Sequence, residues 1–322
     1  MAHRWDPKAP RVVGLVRPVR VDPTGQTGPT RGQAQGGRWR RTSTGFYVRS
    51  NLTDERVEQR ILEQSMRISA TGAVTGWAAL RLHGGNFFDG LARDGKTRLP
   101  VPIAAASDRF EAHPDIVRIR EPLVPAEVVV RHGVRCTIVA RAVFDEMRRV
   151  GEVREAVVVM DMAAAADLIS IPSMQAYAAA RSGRKGTRLV LAALDLADGG
   201  SRSPAETRFR LIWELDAGWP RPLTNRWIFD LDGRFLGVPD LLDPDLGIVG
   251  EYDGADHRGI ARHRRDVRRE DAFRRAGLEY VEVVGSDLHD PPLVVERMEA
   301  ARARAGRMPR GWSLDRRERR RE

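Results

Sequence analysis

The stretch that most constrains the fold of this chain is Val238–His257, which has the pattern of two short strands joined by a turn at residues 243–247. The turn is rich in Pro, Asp and Gly, the residue types that reverse a chain between strands. Because side chains alternate between the two faces of a strand, Glu251 and Asp253 share one face of the second strand. If the strands pair about this turn, Asp240 falls on the same face, either opposite Glu251 or diagonal to it. The sequence therefore predicts three carboxylates close together on one sheet face.

Carboxylates grouped in this way repel one another unless a cation lies between them. Oxygen-only ligands suit a hard divalent ion, so the group formed by Asp240, Glu251 and Asp253 is a candidate site for Mg²⁺ or Mn²⁺. The alternative is that each acid only keeps an edge strand or a turn soluble. Gly254 and His257 follow the acids directly and favour the interpretation as a site.

A basic stripe follows the acids. Residues 260–276 are predicted to form a helix, and the arginines that recur at helical spacing here are Arg258, Arg262, Arg265 and Arg269. Because the stripe begins beside the acids, we expect it to bind the phosphate backbone of DNA. The alternative is a solvated helix face that neighbouring acids partly neutralise. The formal net charge of +10 and the pI near 10.7 favour a polyanionic partner such as nucleic acid, although codon bias also produces arginine-rich chains.

Length and composition predict two domains of mixed α and β structure, so the fold class is α+β or α/β. With 322 residues, each domain can bury its own core. We expect a disordered basic arm at 1–44, an α+β domain at 45–200, a mixed β-sheet flanked by helices at 201–306 and a charged tail at 307–322. The arm is poor in large apolar side chains and cannot offset its ordering entropy by burial. Its composition favours an unstructured leader over an arm that binds nucleic acid.

Hydrophobic periodicity and cap residues predict the secondary structure. The predicted helices span residues 54–68, 73–83, 140–150, 153–168, 173–181, 187–196 and 291–303, and the predicted strands span 99–104, 116–120, 127–131, 134–138, 223–229, 234–242 and 278–284. A further helix has Ser203 at the N-cap, Pro204 at N1 and Glu206 at N3, and it ends at Gly218. This pattern explains Glu206 as the second half of a capping box.

Cysteine and hydropathy exclude several classes of protein. Cys136 is the single cysteine, so neither a disulfide within the chain nor a cysteine-based zinc site can form. No segment approaches the ~20 consecutive apolar residues that a membrane span needs, and the basic N-terminus lacks the apolar run of a signal peptide. We expect a cytoplasmic protein without membrane contact.

The C-terminal part of the chain carries an ordered set of motifs. They are Ser-x-x-Glu at a helix start, Gly-Trp-Pro-x-Pro, Pro-Asp, Glu-Tyr-Asp-Gly-x-x-His, Arg-Asp-x-Arg-Arg-Glu-Asp-Ala-Phe-Arg-Arg-Ala-Gly-Leu and Ser-Asp-Leu. Over residues 201–305 this order resembles the very-short-patch-repair-endonuclease-like (Vsr-like) domain of the PD-(D/E)XK nuclease superfamily, which implies a restriction-endonuclease-like fold. Residues 46–200 more weakly resemble the middle of AbiEi-type antitoxin proteins, with residues 77–84 as the main anchor. Those proteins often begin with a winged helix, for which no pattern precedes Gly45.

The resemblance implies roles for particular residues. Asp240 would ligate the metal, Glu251 and Asp253 would complete the acidic cluster, and Glu206 would be a further ligand or water-positioning acid. His257, Asp266 and Arg269 match positions that line the same pocket. The lysine of the superfamily's Glu-x-Lys is replaced here by Asp253, so the general base is unassigned; His257 or a metal-bound hydroxide are the candidates.

Three functions are compatible with these features. The first is a magnesium-dependent DNA endonuclease or nickase that acts through Glu206, Asp240, Glu251, Asp253 and His257. The second is a non-catalytic DNA-binding or antitoxin-like regulator that uses a nuclease fold as a scaffold. The third is a structural partner in a complex with a cognate toxin protein.

Overall fold

A computed structural model describes residues 14–68, 71–105, 113–254 and 269–314. The described chain divides into two compact units, residues 14–196 and residues 197–314. Both units contain helices and β-sheets, so the prediction of mixed α and β structure is confirmed. Within the described residues, no helix is long and apolar enough to cross a membrane.

The first unit contains two sheets and seven α-helices among the described residues. Its strands are β1 (Val19–Arg20), β2 (Trp39–Ser43), β3 (Phe46–Arg49), β4 (Ala73–Val74), β5 (Val101–Ala104), β6 (Ile116–Ile119), β7 (Val128–Arg131) and β8 (Val134–Thr137). Its helices are α1 (Arg31–Ala34), α2 (Val57–Ser65), α3 (Gly76–Leu82), α4 (Val139–Val150), α5 (Val153–Ala165), α6 (Ile171–Ala179) and α7 (Thr187–Leu196), with a 3₁₀ turn at Pro125–Glu127. The sheet orders are β1-β3-β2 and β6-β5-β4-β8-β7.

The predicted helix at residues 73–83 is wrong at its start. Ala73–Val74 form β4, which pairs with β5 on one side and β8 on the other. The helix begins only at Gly76, whose φ of +54° an L-residue adopts with strain. Tertiary pairing of two small buried residues therefore overrides the helical periodicity of the segment.

The predicted disorder of residues 1–44 is wrong for the described part, residues 14–44. Polar contacts order it instead of apolar burial. The carboxylate of Asp22 accepts hydrogen bonds from the backbone N–H and hydroxyl groups of both Thr24 and Thr27, and Thr30 and Gln33 form a capping box at α1. Residues 1–13 lie outside the described residues.

The second unit has two sheets whose strands interleave in sequence. Its strands are β9 (Leu223–Thr224), β10 (Ile228–Asp230), β11 (Phe235–Gly237), β12 (Leu241–Asp243), β13 (Ile248–Asp253), β14 (Glu279–Val284) and β15 (Trp312–Ser313). Its helices are α8 (Pro204–Leu211), α9 (residues 269–275) and α10 (Pro291–Arg304), with a π turn at Ile212–Asp216 and a 3₁₀ turn at Asp287–His289. The sheet orders are β14-β13-β12-β9 and β11-β10-β15, and β13 runs parallel to β14 but antiparallel to β12.

Two predicted strands are each split between these sheets. The run 223–229 divides into β9 and β10, and the run 234–242 divides into β11 and β12, because the chain leaves one sheet for the other in between. Asp232-Gly233 lie in the turn around which β10 and β11 pair antiparallel. The domain expected to end at residue 306 extends further: β15 pairs with β10, and Trp312 is buried.

Apolar clusters cover both faces of the four-stranded sheet. On one face, Leu241 and Ile248 pack with Phe209 and Trp213 of the α8 region. On the other face lies the cluster Ile228, Leu242, Val249, Phe273, Ala276, Leu278 and Trp312. The hairpin of β12 and β13 is thus buried on both sides, and these buried strands position its polar end.

Candidate functional site

The hairpin of β12 and β13 places the acids. Asp243 Oδ1 accepts hydrogen bonds of 2.9 Å from the backbone N–H groups of Asp245 and Leu246, which fixes the turn. The strands then pair with Leu241 opposite Gly250. The paired register ends there, and Asp240 directly precedes β12, so it lies near Glu251 at the end of the hairpin.

Asp240 is half-buried at the end of this ladder. Its Oδ2 accepts a hydrogen bond of 2.7 Å from the backbone N–H of Tyr252. Burial and, to a lesser extent, the nearby Glu206 carboxylate raise the pKa of Asp240 from 3.8 to about 7. The protein therefore binds a proton at this position far more tightly than water-exposed aspartate does.

Glu206 reaches the site from the N-terminus of α8. The N-cap is as predicted, since Ser203 Oγ accepts a hydrogen bond from the Glu206 N–H at 3.2 Å. The Glu206 side chain does not complete the predicted capping box. Its Oε2 accepts hydrogen bonds from the backbone N–H of Arg202 at 2.7 Å and from Asn225 Nδ2 at 2.8 Å. The carboxylate is thus held toward the strands.

Asn225 connects Glu206 and Asp240, and sequence reasoning missed it. Its backbone N–H donates to the carbonyl of Asp240 at 3.0 Å, while its side-chain amide donates to Glu206. Its φ is +50°, a left-handed conformation that Asn tolerates better than most residues. An Asn in the middle of an otherwise strand-like run was the available signal.

Glu251 is buried and forms an ion pair with Arg269, with 2.6 Å between Oε2 and Nη2. Arg269 was expected both to line the pocket of the acids and to bind a DNA backbone, and the ion pair with Glu251 agrees with the first of these expectations. Tyr280 lies on the adjacent strand, and burial together with the Glu251 charge raises the pKa of its phenol above the usual range. The negative charge of Glu251 is therefore balanced by the guanidinium of Arg269.

The remaining predicted residues are less closely gathered. Asp253 is exposed, two positions beyond Glu251 on the same strand face. Among the described residues, no group of three or more His, Cys, Asp or Glu side chains is arranged to hold a metal ion. The predicted residues His257, Arg258, Arg262 and Arg265 lie outside the described residues.

Comparison with known proteins adds no family. No protein-family model, no curated protein and no solved structure matches the chain. The resemblance to Vsr-like and AbiEi-type proteins therefore rests on the motifs alone.

The site itself offers two carboxylates whose proximity to each other is unfavourable, Asp240 and Glu206. A third carboxylate, that of Glu251, is balanced by Arg269. Chemically, the first pair is suited to bind a proton or a hard cation.

Proposed function

We propose that the chain is a metal-dependent DNA endonuclease or nickase whose second unit has the restriction-endonuclease-like arrangement of the Vsr-like family. The observation that carries this proposal is the position of Asp240, beside Glu206 and hydrogen-bonded to the backbone of Tyr252 next to Glu251, with its pKa raised to about 7. A buried carboxylate that a second carboxylate perturbs is more typical of a functional site than of a stabilising one. The basic character of the chain fits a DNA substrate.

A divalent cation of the Mg²⁺ or Mn²⁺ type would be held by Asp240 and Glu206, two carboxylates whose charges disfavour each other. Both supply carboxylate oxygens, which hard cations prefer, and Glu251 would add a third carboxylate only by leaving its ion pair with Arg269. Burial and the Glu206 carboxylate both disfavour the charged form of Asp240, and a bound cation would offset both effects. When bound, such an ion would polarise the scissile phosphate and lower the pKa of a water molecule.

The protein's own residues supply positioning. The Tyr252 N–H orients the Asp240 carboxylate, and Asn225 fixes Glu206 relative to the backbone of Asp240. Arg269 orients the Glu251 carboxylate through a hydrogen bond of 2.6 Å. Because burial and Glu206 raise the pKa of Asp240, its availability as an anionic ligand increases as the pH rises.

The proposal is tested by nicking of supercoiled plasmid with Mg²⁺ or Mn²⁺. Asp240→Asn keeps an oxygen that can accept from Tyr252 N–H, and Glu251→Gln keeps the side-chain volume, so both variants should fold yet lose nicking. Asp245→Asn is the matched control, because Asp245 is an exposed acid in the turn of the same hairpin. Full nicking activity in Asp240→Asn would refute the assignment.

One observation favours a second function, a DNA-binding regulator that does not cleave. Glu251 is already paired with Arg269, and no three metal-ligating side chains are assembled within the described residues. This function predicts DNA binding that persists in EDTA and in Asp240→Asn, without nicking by any form of the protein. Metal-dependent nicking by the wild-type protein would exclude it.

A further inference from the structure

The sheet β1-β3-β2 of the first unit has two different faces. Cross-strand partners share a face, and the register pairs Arg40 with Val48. Val48 is buried, and Arg40 forms an ion pair with Glu63 of α2 at 2.8 Å, so this face packs on α2. The alternate pairs point away from α2.

The opposite face carries arginine and aromatic residues in adjacent pairs. Trp39 pairs with Arg49, and Arg41 pairs with Tyr47. Both arginines are exposed, and the two aromatic side chains are half-buried beside them. On this face, two exposed guanidinium groups therefore lie beside two aromatic rings.

The segment around this face is almost free of negative charge. Residues 14–50 contain the arginines Arg17, Arg20, Arg31, Arg38, Arg40, Arg41 and Arg49 and a single acid, Asp22. The Asp22 carboxylate accepts hydrogen bonds within its own turn from Thr24 and Thr27. Within the part of the chain that the structure describes, no carboxylate forms an ion pair with Arg41 or Arg49.

The aromatic rings orient the guanidinium groups. The Arg49 Cζ lies 4.2 Å from the centroid of the Trp39 ring, a stacking contact that uses the face of the guanidinium. The N–H donors of a guanidinium lie in its plane and remain directed outward in such a stack. Arg41 is held by a single hydrogen bond of 3.3 Å from its Nε to the carbonyl of Ser43, which leaves its terminal nitrogens for other acceptors.

We propose that this arginine–aromatic face, formed by Trp39, Arg41, Tyr47 and Arg49, binds the phosphate backbone of nucleic acid. Preoriented guanidinium forks match phosphate geometry, and their charge attracts a polyanion. The half-buried aromatic rings stay embedded in the sheet, which favours backbone contact over insertion into a lipid surface. This binding surface belongs to the first unit and does not depend on the acids of the second unit or on their activity.

The test measures binding of the full-length protein to a labelled duplex and to a single strand of about 20 nucleotides, in EDTA, across a salt series. Each phosphate contact contributes about 0.9 to the slope of log K against log salt concentration, which corresponds to roughly tenfold in affinity per contact near 0.1 M salt. The variant Arg41→Gln/Arg49→Gln should lower the slope by about 2 and the affinity by roughly a hundredfold. Arg41→Gln alone, which removes only one weak internal hydrogen bond, should produce about half of the slope change.

The matched control is Lys185→Gln/Arg188→Gln, which removes the same net charge from exposed positions of the same unit. Retained affinity in the control, with loss in the test variants, supports the proposal, and the duplex and single-strand measurements show which form is preferred. Equal losses in control and test variants would mean that only net charge matters and would overturn it. Binding to phosphatidylserine vesicles without binding to either oligonucleotide would overturn it as well.

Discussion

Replacing Asp240 by Asn should stabilise the second unit at high pH and leave its stability unchanged at low pH. The pKa of Asp240 is about 7 in the folded protein, against 3.8 for an exposed aspartate. The folded state therefore binds a proton more tightly than the unfolded state does. Wild-type stability should fall as the pH rises from about 4 to about 7 and then stay constant, because both states are ionised above that range.

The magnitude follows from the pKa difference. At 1.36 kcal/mol per unit, the displacement from 3.8 to about 7 amounts to up to about 4 kcal/mol. Asn retains a carbonyl oxygen for the Tyr252 N–H, so the hydrogen bond of 2.7 Å need not be lost. The variant should therefore match the wild type near pH 4 and exceed it by about 1–4 kcal/mol at pH 8.

Hydrogen exchange measured by mass spectrometry provides a local assay. Peptides that cover β12 and β13 report the opening of this hairpin separately from the first unit. Both proteins are compared at the same pH in EDTA, so intrinsic exchange rates cancel. Slower exchange in the variant at pH 8, by about tenfold for each ~1.4 kcal/mol, is the expected result.

Asp245→Asn serves as the control, because it removes an exposed acid from the same hairpin. Its exchange should equal that of the wild type at both pH values. A difference between Asp240→Asn and wild type that does not change with pH would refute the reasoning, since it would show that Asp240 is not a perturbed titrating group. Lower stability of the variant at pH 8 would refute it too.

Two further predictions concern other residues of the second unit. Asn225→Gly preserves the left-handed backbone but removes the amide that holds Glu206. Plasmid nicking should therefore fall by roughly 10–100-fold, the range typical of residues that orient ligands. Unchanged nicking would show that Asn225 does not position the site. Trp312→Ala removes a buried ring of the cluster that contains Phe273. Urea unfolding should show that the free energy of unfolding falls by about 3–5 kcal/mol. A decrease below about 1 kcal/mol would contradict the packing role.

Local rules were sufficient to predict the hairpin of the site. Alternation along the strands and the turn at residues 243–247 predicted the pairing of β12 with β13 without any tertiary information. The N-cap Ser203 was predicted correctly for the same reason, since a cap depends on a few neighbouring residues. Each of these features is decided within about a dozen residues of chain.

The contacts that shape the site electrostatically could not be predicted in this way. Asn225 and Glu206 are 19 positions apart, and Arg269 and Glu251 are 18 apart. Only the assembled fold determines which of the many arginines approaches Glu251. The same limitation explains the split strands, because the change from one sheet to the other depends on partners such as β15 that lie far away in sequence.

The N-terminal segment shows a different limitation of composition. Its shortage of large apolar residues predicted disorder, yet Arg40 is anchored to Glu63 and Arg49 to Trp39. Ion pairs and cation–π contacts at partly exposed positions are each worth only about 1 kcal/mol or less. Many such contacts on one small sheet, together with the hydrogen-bonded turn at Asp22, stabilise this segment without a large apolar core.

The stability of the hairpin explains how the fold tolerates its acids. Leu241 and Ile248 face one apolar cluster, while Leu242 and Val249 face the other, so both sides of β12 and β13 are buried. Each such side chain contributes about 1.5–3 kcal/mol when fully buried. Four of them exceed the ~4 kcal/mol that the raised pKa of Asp240 represents. The fold therefore tolerates a perturbed carboxylate at this end of the sheet because the neighbouring strands are buried between two apolar clusters. Asp240→Asn, which removes the perturbed charge, should also remove the proposed activity.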